Sequence, residues 1–594
     1  MAKPHDMQKM ITRRTVLLGG IMGTAAASLI GRVGYLQFIR GEELKTLADG
    51  NRIKLQLISP PRGIITDING VALAKNEVSY RLFLERDNPK QAKKTLLTLA
   101  QLLHWDKART AAMLREITPR PRGSLLLSER VEWDQLARIE YFLPELPGVS
   151  IEEGQLRFYP FADHAAHLIG YVGRVAEDEE SAKDPLSHLP EFKIGKNGVE
   201  YRFDDALRGV AGSKQLEVNV TGLPVRELQH TPPKQGDTVA LTVDSRLQEY
   251  IVERLSGQSG AVVVMQVHTG DVLALVSVPG FDPNIFSKGI PAEYWKQLNA
   301  DEKHPLLNKA ISGQYPPGST FKMLVGLTGL ETGKVTPSTS VYCPGYYMLG
   351  NHRFNCWKPE GHGHMDLRMA IAQSCDTYFY TVGKAVGIDA FAETAKTLGL
   401  GALSDLGLRG EKAGIMPTPE WKEAVGRGPW NPGETINSAI GQGDVLATPL
   451  QMAIMMARLC NGGKKVVPRL TRSDAPVSFE DAGFDPDHLA VVMEGVDWVV
   501  NNPRGTAYGS RIMHGDTLFA GKTGTAQVRK ILVRGQDQNH VPWHLRHHAW
   551  FVAYGPTLDP QYAACILIEH GGGGSSAAAP VARDIMQKVM ELYG

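Results

Sequence analysis

Three short clusters carry groups able to do covalent chemistry. In YPPGSTFK, Ser319 and Lys322 stand three apart, so on one helical turn the lysine amine can reach the serine hydroxyl. A serine hydroxyl is a poor nucleophile at neutral pH unless a base adjoins it. A lysine driven toward its neutral amine by burial can be that base without any histidine. In AIAQSCDTYFY, 55 residues on, Ser374 and Asp376 add a second hydroxyl and a carboxylate. In LFAGKTGTAQ, Lys522, Thr523, Gly524 and Thr525 lie on what reads as an edge strand. Each pattern alone is weak, since an N-capping serine beside a solvated lysine is the ordinary reading of S-x-x-K. Their concurrence in this order is the signal.

The elements around them must bring distant segments together. TVALTV (Thr238–Val243) reads as a short strand, and Asp244 as the N-cap of a helix through DSRLQEYIVERL. GAVVVMQVHTGDVLALVSV is a hairpin of two β-rich runs around His268–Asp271. Helical patterns fill the middle, and strands return near Gly521, at Trp550–Tyr554 and at Ala564–Glu569. Strands at both ends with helices between them predict one sheet closed by remote segments, an α/β sandwich. Upstream, ISPPRGIITDINGVALA reads as strand, Asn-Gly turn, strand. Lys90–Glu116 and Trp133–Phe142 have helical spacing, and HTPPKQGD (His230–Asp237) is a candidate boundary.

The motif order S-x-x-K, S-x-[ND], K-T-G resembles that of penicillin-binding proteins and serine β-lactamases. The resemblance spans nearly the whole chain and is closest to class B penicillin-binding proteins of the elongation type. It is carried by PPRGIITDINGVALA, RFYPFADHAAHLIGYVG and IGKNGVEYRFDDALRG, then by TVDSRLQE, YPPGSTFK, NSAIGQGDVLATPLQMA, AGKTGTAQ and GGGGSSAAAPVAR. It implies a cytoplasmic tail at 1–14, an anchor at 15–39, an elongated mixed α+β head or pedestal at 40–231 and a transpeptidase domain at 232–594. It also implies a D,D-transpeptidase acting on peptidoglycan stem peptides ending in D-Ala-D-Ala, and acylated by β-lactams. Ser319 would be the nucleophile, Lys322 the general base, and Ser374 the proton relay to the departing D-alanine. Asp376 would hold Lys322 and a substrate amide. Lys522, Thr523 and Thr525, with Gly524 between, would bind the terminal carboxylate, and the N–H groups of Ser319 and Thr525 would form the oxyanion hole. Most relatives carry Asn where Asp376 stands, and Asp lacks amide donors, so the bonding around Lys322 is expected to differ. No cofactor is implied for catalysis. The implied partners are a SEDS-family (RodA-type) glycosyltransferase and an MreC-type scaffold. A division-type transpeptidase is the near alternative; a β-lactam sensor or a non-catalytic scaffold is more distant.

Five cysteines are too few for a disulfide scaffold, yet three fall within 33 residues. Cys343, Cys356, Cys375 and either His362 or His364 form a Cys₃His set suited to structural zinc, and the resemblance favours His362. A Cys343–Cys356 disulfide and three unrelated small hydrophobic thiols are the other readings. Cys460 and Cys565 lie in apolar runs and read as buried thiols. HVPWHLRHHAWF (His540–Phe551) holds four histidines but reads as the loop and strand after K-T-G. Trp430 and Gln442 are expected to shape the cleft.

The N-terminus sets the compartment. Lys3, Lys9, Arg13 and Arg14 precede an apolar run from Thr15 to Gly31 that continues past Arg32 to Ile39. Seventeen residues of helix reach about 25 Å, slightly short of a ~30 Å hydrocarbon core, and extension to Ile39 makes up the difference. Basic charge ahead of the run predicts a single span with a cytoplasmic N-terminus and an exported body; the resemblance implies that this body is periplasmic, at the bacterial inner membrane. A cleaved twin-arginine-like signal is the competing reading. With 64 basic and 63 acidic side chains in 594 residues, no net field draws nucleic acid.

Overall fold

A computed structural model describes residues 4–36, 53–86, 88–117, 124–176, 178–179, 184–189, 192–218, 224–472, 475–513, 518–528 and 540–594. The chain divides into two compact units: Met1–Pro61 with Gly209–Gln235, and Arg62–Arg208 with Gly236–Gly594.

In the first unit, a helix runs from Pro4 to Gly34, with Pro at its first position, where no N–H is needed. Its Arg13–Gly34 part is long and apolar enough to cross a membrane, and Val16, Met22 and Ile30 are exposed. The helix starts within the expected cytoplasmic tail because nothing in HDMQKMITRR breaks it. The expected end of the span, 37–39, lies outside the described residues. Three antiparallel strands complete this unit, in the order Ile53–Ile58, Gly212–Val218, Pro224–Thr231.

The second unit is built on a five-stranded antiparallel sheet, ordered Val272–Val278, Gly260–Gln266, Tyr562–Ile568, His548–Gly555, Ala520–Ala526. The runs VLALVSV and YAACILI are buried at every position, the pattern of strands covered on both faces. The helices Ser245–Arg254 and Ala579–Tyr593 contact each other and the sheet; Pro449–Cys460 and Pro486–Asn501 form another group on it. Against Pro486–Asn501 packs the helix Lys322–Glu331, buried from Lys322 through Leu330. Asp244 caps Ser245–Arg254 by accepting from Arg246 N at 2.9 Å, as its sequence predicts.

A second sheet in this unit centres on Ala72–Glu85, which pairs with Ile65–Thr66, Ser124–Val131 and Val149–Phe158. The strand expected over Thr238–Val243 shrinks to Val239–Ala240, parallel to Ile65–Thr66. Lys90–Glu116 forms two helices rather than one, Pro89–Leu102 and Lys107–Glu116. His104 adopts a left-handed backbone, φ +53°, and Asp106 restarts the helix by capping Arg109 N at 2.7 Å.

A buried charge cluster explains the upstream motifs. Glu200, with no exposed surface, receives Arg62 Nε and Arg157 Nε at 2.6 Å each, and Arg62 also reaches Asp204 at 2.7 Å. PPRG, RFYP and GVEYRFDD are thus three parts of one knot. Burial pushes the Glu200 carboxyl up, but Arg62 and Arg157 outweigh it and hold it below its ordinary range. Removing one partner from such a buried set typically costs about 3–5 kcal/mol. Asn284 ties the same region to the rest of the unit, accepting from Tyr159 N at 2.9 Å and donating to Tyr159 O at 3.0 Å.

Candidate active site

Ser319 sits in a tight helical turn, Gly318–Phe321, that runs into the helix Lys322–Glu331. The turn is pinned by its surroundings. Trp550 Nε1 donates to Pro316 O at 3.0 Å, Thr320 Oγ1 to Pro317 O at 2.7 Å, and Gly318 N to Gly441 O at 2.9 Å. Gly318 has φ +56°, and a side chain there would come within 2.7 Å of Thr525 O. The turn therefore lies directly against the K-T-G strand.

Lys322 is completely buried and spends its three donors on the second motif. It donates to Ser374 O at 2.9 Å, Ser374 Oγ at 3.2 Å and Asp376 Oδ1 at 2.6 Å. The expected reach toward the Ser319 hydroxyl is not a hydrogen bond among the described residues, because a buried ammonium gains more from a carboxylate than from a neutral hydroxyl. Ser374 joins the helices Leu367–Ala372 and Asp376–Val386 in a left-handed conformation, φ +55°, which costs a non-glycine residue about 1–3 kcal/mol. Its Oγ also accepts from Lys522 Nζ at 3.1 Å. The Ser374 hydroxyl thus lies within hydrogen-bond distance of both lysine amines.

Two buried lysines share one carboxylate here. Burial, then the charge of Lys322, drive Lys522 well below its ordinary value, with Asp376 opposing. Asp376 is raised, burial outweighing the attraction of Lys322. The departure from Asn thus supplies an anion for Lys322 and no donor. The other oxygen, Asp376 Oδ2, accepts from Trp357 N at 2.7 Å.

Several participants escaped sequence reasoning. Thr506 Oγ1 lies 2.8 Å from Thr523 Oγ1, and Thr506 N donates to Ala372 O at 3.1 Å, joining the second and third motifs. Gln442, expected only to shape the cleft, donates to Thr525 O at 3.1 Å. Gly574 N donates to Thr525 Oγ1 at 3.2 Å, and a side chain at Gly574 would strike Gly524 O at 2.3 Å, which accounts for one glycine of the C-terminal run. Trp430 Nε1 bonds Thr435 Oγ1 at 2.8 Å. Trp357, not singled out from the sequence, follows Cys356 and donates its indole N–H to Gln373 O and Ser374 O. No local pattern signals Thr506 or Trp357; they are found through their partners.

Cys343, Cys356, His362 and Cys375 converge, each offering one donor atom, all within 4.8 Å of one another. His362 Nδ1 is 3.6 Å from Cys343 Sγ and 3.5 Å from Cys356 Sγ. Bonds of about 2.3 Å to sulfur and 2.0 Å to nitrogen give a tetrahedral S···N edge of about 3.5 Å. The donor set therefore has the size and chemistry for zinc. All five cysteines are free thiols, so the Cys343–Cys356 disulfide is not formed. His364 instead stacks on Tyr342, ring centres 5.2 Å apart. Cys565 is buried as expected, whereas Cys460 is only half-buried, at the end of the helix Pro449–Cys460. In the histidine-rich segment, His548 opens the strand His548–Gly555 and stacks on Tyr315 and His570. Burial lowers its pKa to about 3, and its Nδ1 accepts from His570 N at 3.1 Å.

Comparison with known proteins matches two consecutive stretches of the chain. Residues 260–587 match the penicillin binding protein transpeptidase domain, and residues 57–241 the penicillin-binding protein dimerisation domain. Peptidoglycan D,D-transpeptidase MrdA of Escherichia coli strain K12 is 34% identical, covering 95% of this chain and 91% of that protein. The penicillin-binding protein PBP2 of Helicobacter pylori, solved in complex with MreC, superposes with a TM-score of 0.82 at 29% identity, over 91% of this chain and 99% of that one. A chain from a structure of a peptidoglycan synthase complex, described as coordinating polymerization and crosslinking, aligns at TM-score 0.70 and 32% identity, over 98% and 99%.

Proposed function

The chain belongs to the class B penicillin-binding proteins, PBP2 type, and on that premise we propose that it cross-links peptidoglycan through an acyl-enzyme on Ser319. It is a peptidoglycan D,D-transpeptidase of the elongation type. The observation that carries the catalytic assignment is the convergence of Lys322 and Lys522 on the one hydroxyl of Ser374, with Asp376 holding Lys322, beside the Ser319 turn.

The substrate is a stem peptide ending in D-Ala-D-Ala. Ser319 Oγ attacks the carbonyl of the penultimate D-alanine, forming an ester as the bond to the terminal D-alanine nitrogen breaks. Two buried amines facing one carboxylate do not hold both positive charges cheaply, so one proton of the set is mobile. Ser374 Oγ bridges the two amines, and when the neutral amine falls on Lys322 it takes the Ser319 proton. Ser374 passes a proton to the departing amine. Lys522 with the hydroxyls of Thr523 and Thr525 holds the terminal carboxylate, Thr506 fixing Thr523. The N–H groups of Ser319 and Thr525 stabilise the oxyanion. The amine of a second stem then attacks the ester and frees Ser319. β-Lactams acylate the same hydroxyl.

Cys343, Cys356, His362 and Cys375 would hold a structural zinc ion, which when bound cross-links the loop to the second motif and does no chemistry on substrate. Cys375 lies between Ser374 and Asp376, so the clamp braces both. Purified protein is expected to carry about one zinc per chain by mass spectrometry, and Cys356→Ser to lose it; a metal-free wild type prepared without chelator would refute the site.

The apolar helix within Pro4–Gly34 is the single membrane anchor, with its basic N-terminus cytoplasmic and the catalytic unit in the periplasm. Likeness to the Helicobacter pylori protein solved with MreC supports an MreC-type scaffold as partner. Likeness to the synthase-complex chain supports a partner that polymerises glycan, which we propose is a SEDS-family, RodA-type glycosyltransferase.

Glycan strands bearing pentapeptide stems test the reaction. The full-length protein is expected to yield cross-linked dimers with one D-alanine released per link. Release of D-alanine with no dimer would make it a carboxypeptidase instead.

A further inference from the structure

The Ser374 backbone conformation needs something to hold it. Ser374 carries the shared hydroxyl and a carbonyl that receives Lys322, yet it stands at φ +55°. The helix before it ends at Ala372 and the next begins at Asp376, so neither helix includes residues 373–375. Trp357 spans this gap. Its indole N–H lies 3.1 Å from Gln373 O and 3.0 Å from Ser374 O, and its backbone N–H lies 2.7 Å from Asp376 Oδ2. Its ring meets His362 edge-on at 5.4 Å. One residue thus engages Gln373, Ser374 and Asp376 together.

We propose that Trp357 is a positioning residue for acylation, its indole N–H holding Ser374 in the left-handed conformation that aims its hydroxyl and carbonyl at Lys322. Ser374 O is shared between the indole and the Lys322 ammonium. When Lys322 becomes the neutral amine that acts as base it has two donors for the three acceptors it now serves, and the indole keeps the Ser374 carbonyl paired. The indole is more than half exposed, so little burial energy holds it beyond these bonds. This inference rests on Ser319 being the acylated residue.

The test separates the reversible binding constant K from the first-order acylation rate k2, using a fluorescent penicillin and full-length protein. Trp357→Phe keeps the ring and deletes the donor. Its k2 is expected to fall about ten-fold, the effect of one lost hydrogen bond, with K within two-fold of wild type and zinc content unchanged. Unchanged k2, a raised K with intact k2, or slowing only in proportion to lost metal would each overturn the assignment. If Trp357→Phe fails to fold, 3-benzothienylalanine at position 357, isosteric with Trp but lacking the N–H, decides on the same readouts. Ser319→Ala run alongside distinguishes the two claims: labelling that survives in it refutes the nucleophile, whatever Trp357→Phe does.

Discussion

Ser319→Ala is expected to abolish labelling by a fluorescent penicillin and cross-linking of pentapeptide strands, each by more than about 10³-fold. The reason is geometric as well as chemical. The Ser319 turn is fixed by hydrogen bonds from Trp550 to Pro316 O and from Gly318 N to Gly441 O, neither of which uses the Ser319 side chain. Ser319 is half-buried and makes no hydrogen bond to Lys322 among the described residues. Its loss therefore leaves the Lys322–Ser374–Asp376–Lys522 set intact. The variant should unfold within about 0.5 kcal/mol of wild type, so that lost labelling reports lost chemistry and not a lost fold. Retained labelling in Ser319→Ala would remove the nucleophile assignment.

Lys322→Met is expected to cost both activity and stability. A methionine chain fills most of the lysine stem's space but provides no donor, so Ser374 O, Ser374 Oγ and Asp376 Oδ1 each lose one. With no base at the turn, acylation should fall more than about 10³-fold. The stability term comes from Asp376, a buried carboxylate whose nearest cation is removed, and is about 3 kcal/mol. It has a definite pH sign. Asp376 already lies above its ordinary value because of burial, and losing Lys322 moves it further up. The folded variant then holds a proton that the unfolded chain gives up near pH 4. Its deficit against wild type is thus smallest in acid and grows as pH rises through the folded pKa. Denaturant titrations at several pH values measure this. Adding Asp376→Leu should recover most of the stability and none of the activity, since removing both partners leaves no uncompensated charge. If Lys322→Met still labels at the wild-type rate, Lys322 is not the base.

The two variants mark what could be read in advance. Ser319, Lys322, Ser374, Asp376 and Lys522 could be singled out in the sequence, because three short motifs, each weak alone, occur together in one order. The strands of the main sheet were legible for a similar reason, since runs such as VLALVSV are apolar at every position and β-branched at several. The break in Lys90–Glu116 was not, for helical spacing continues across it while His104 turns left-handed and Asp106 restarts the helix. Nor was the Glu200 knot, whose members Arg62, Arg157 and Asp204 each look like ordinary surface charges in their own segments.

By itself, then, the amino-acid sequence determined which functional groups the protein has, in which order, and which local element carries each one. It also marked Cys343, Cys356, Cys375 and either His362 or His364 as one candidate set, which the structure assembles with His362. Only the tertiary structure decided where those groups point and how charged they are. Lys322 faces Asp376 rather than Ser319, Lys522 meets Ser374 from 148 positions away in the chain, and Trp357 and Thr506 enter the site with no motif of their own. The physical reason is one of range. Residue type and spacing within a turn are local properties, whereas hydrogen-bond partners and the pKa of a buried amine depend on desolvation and on charges that only packing brings near.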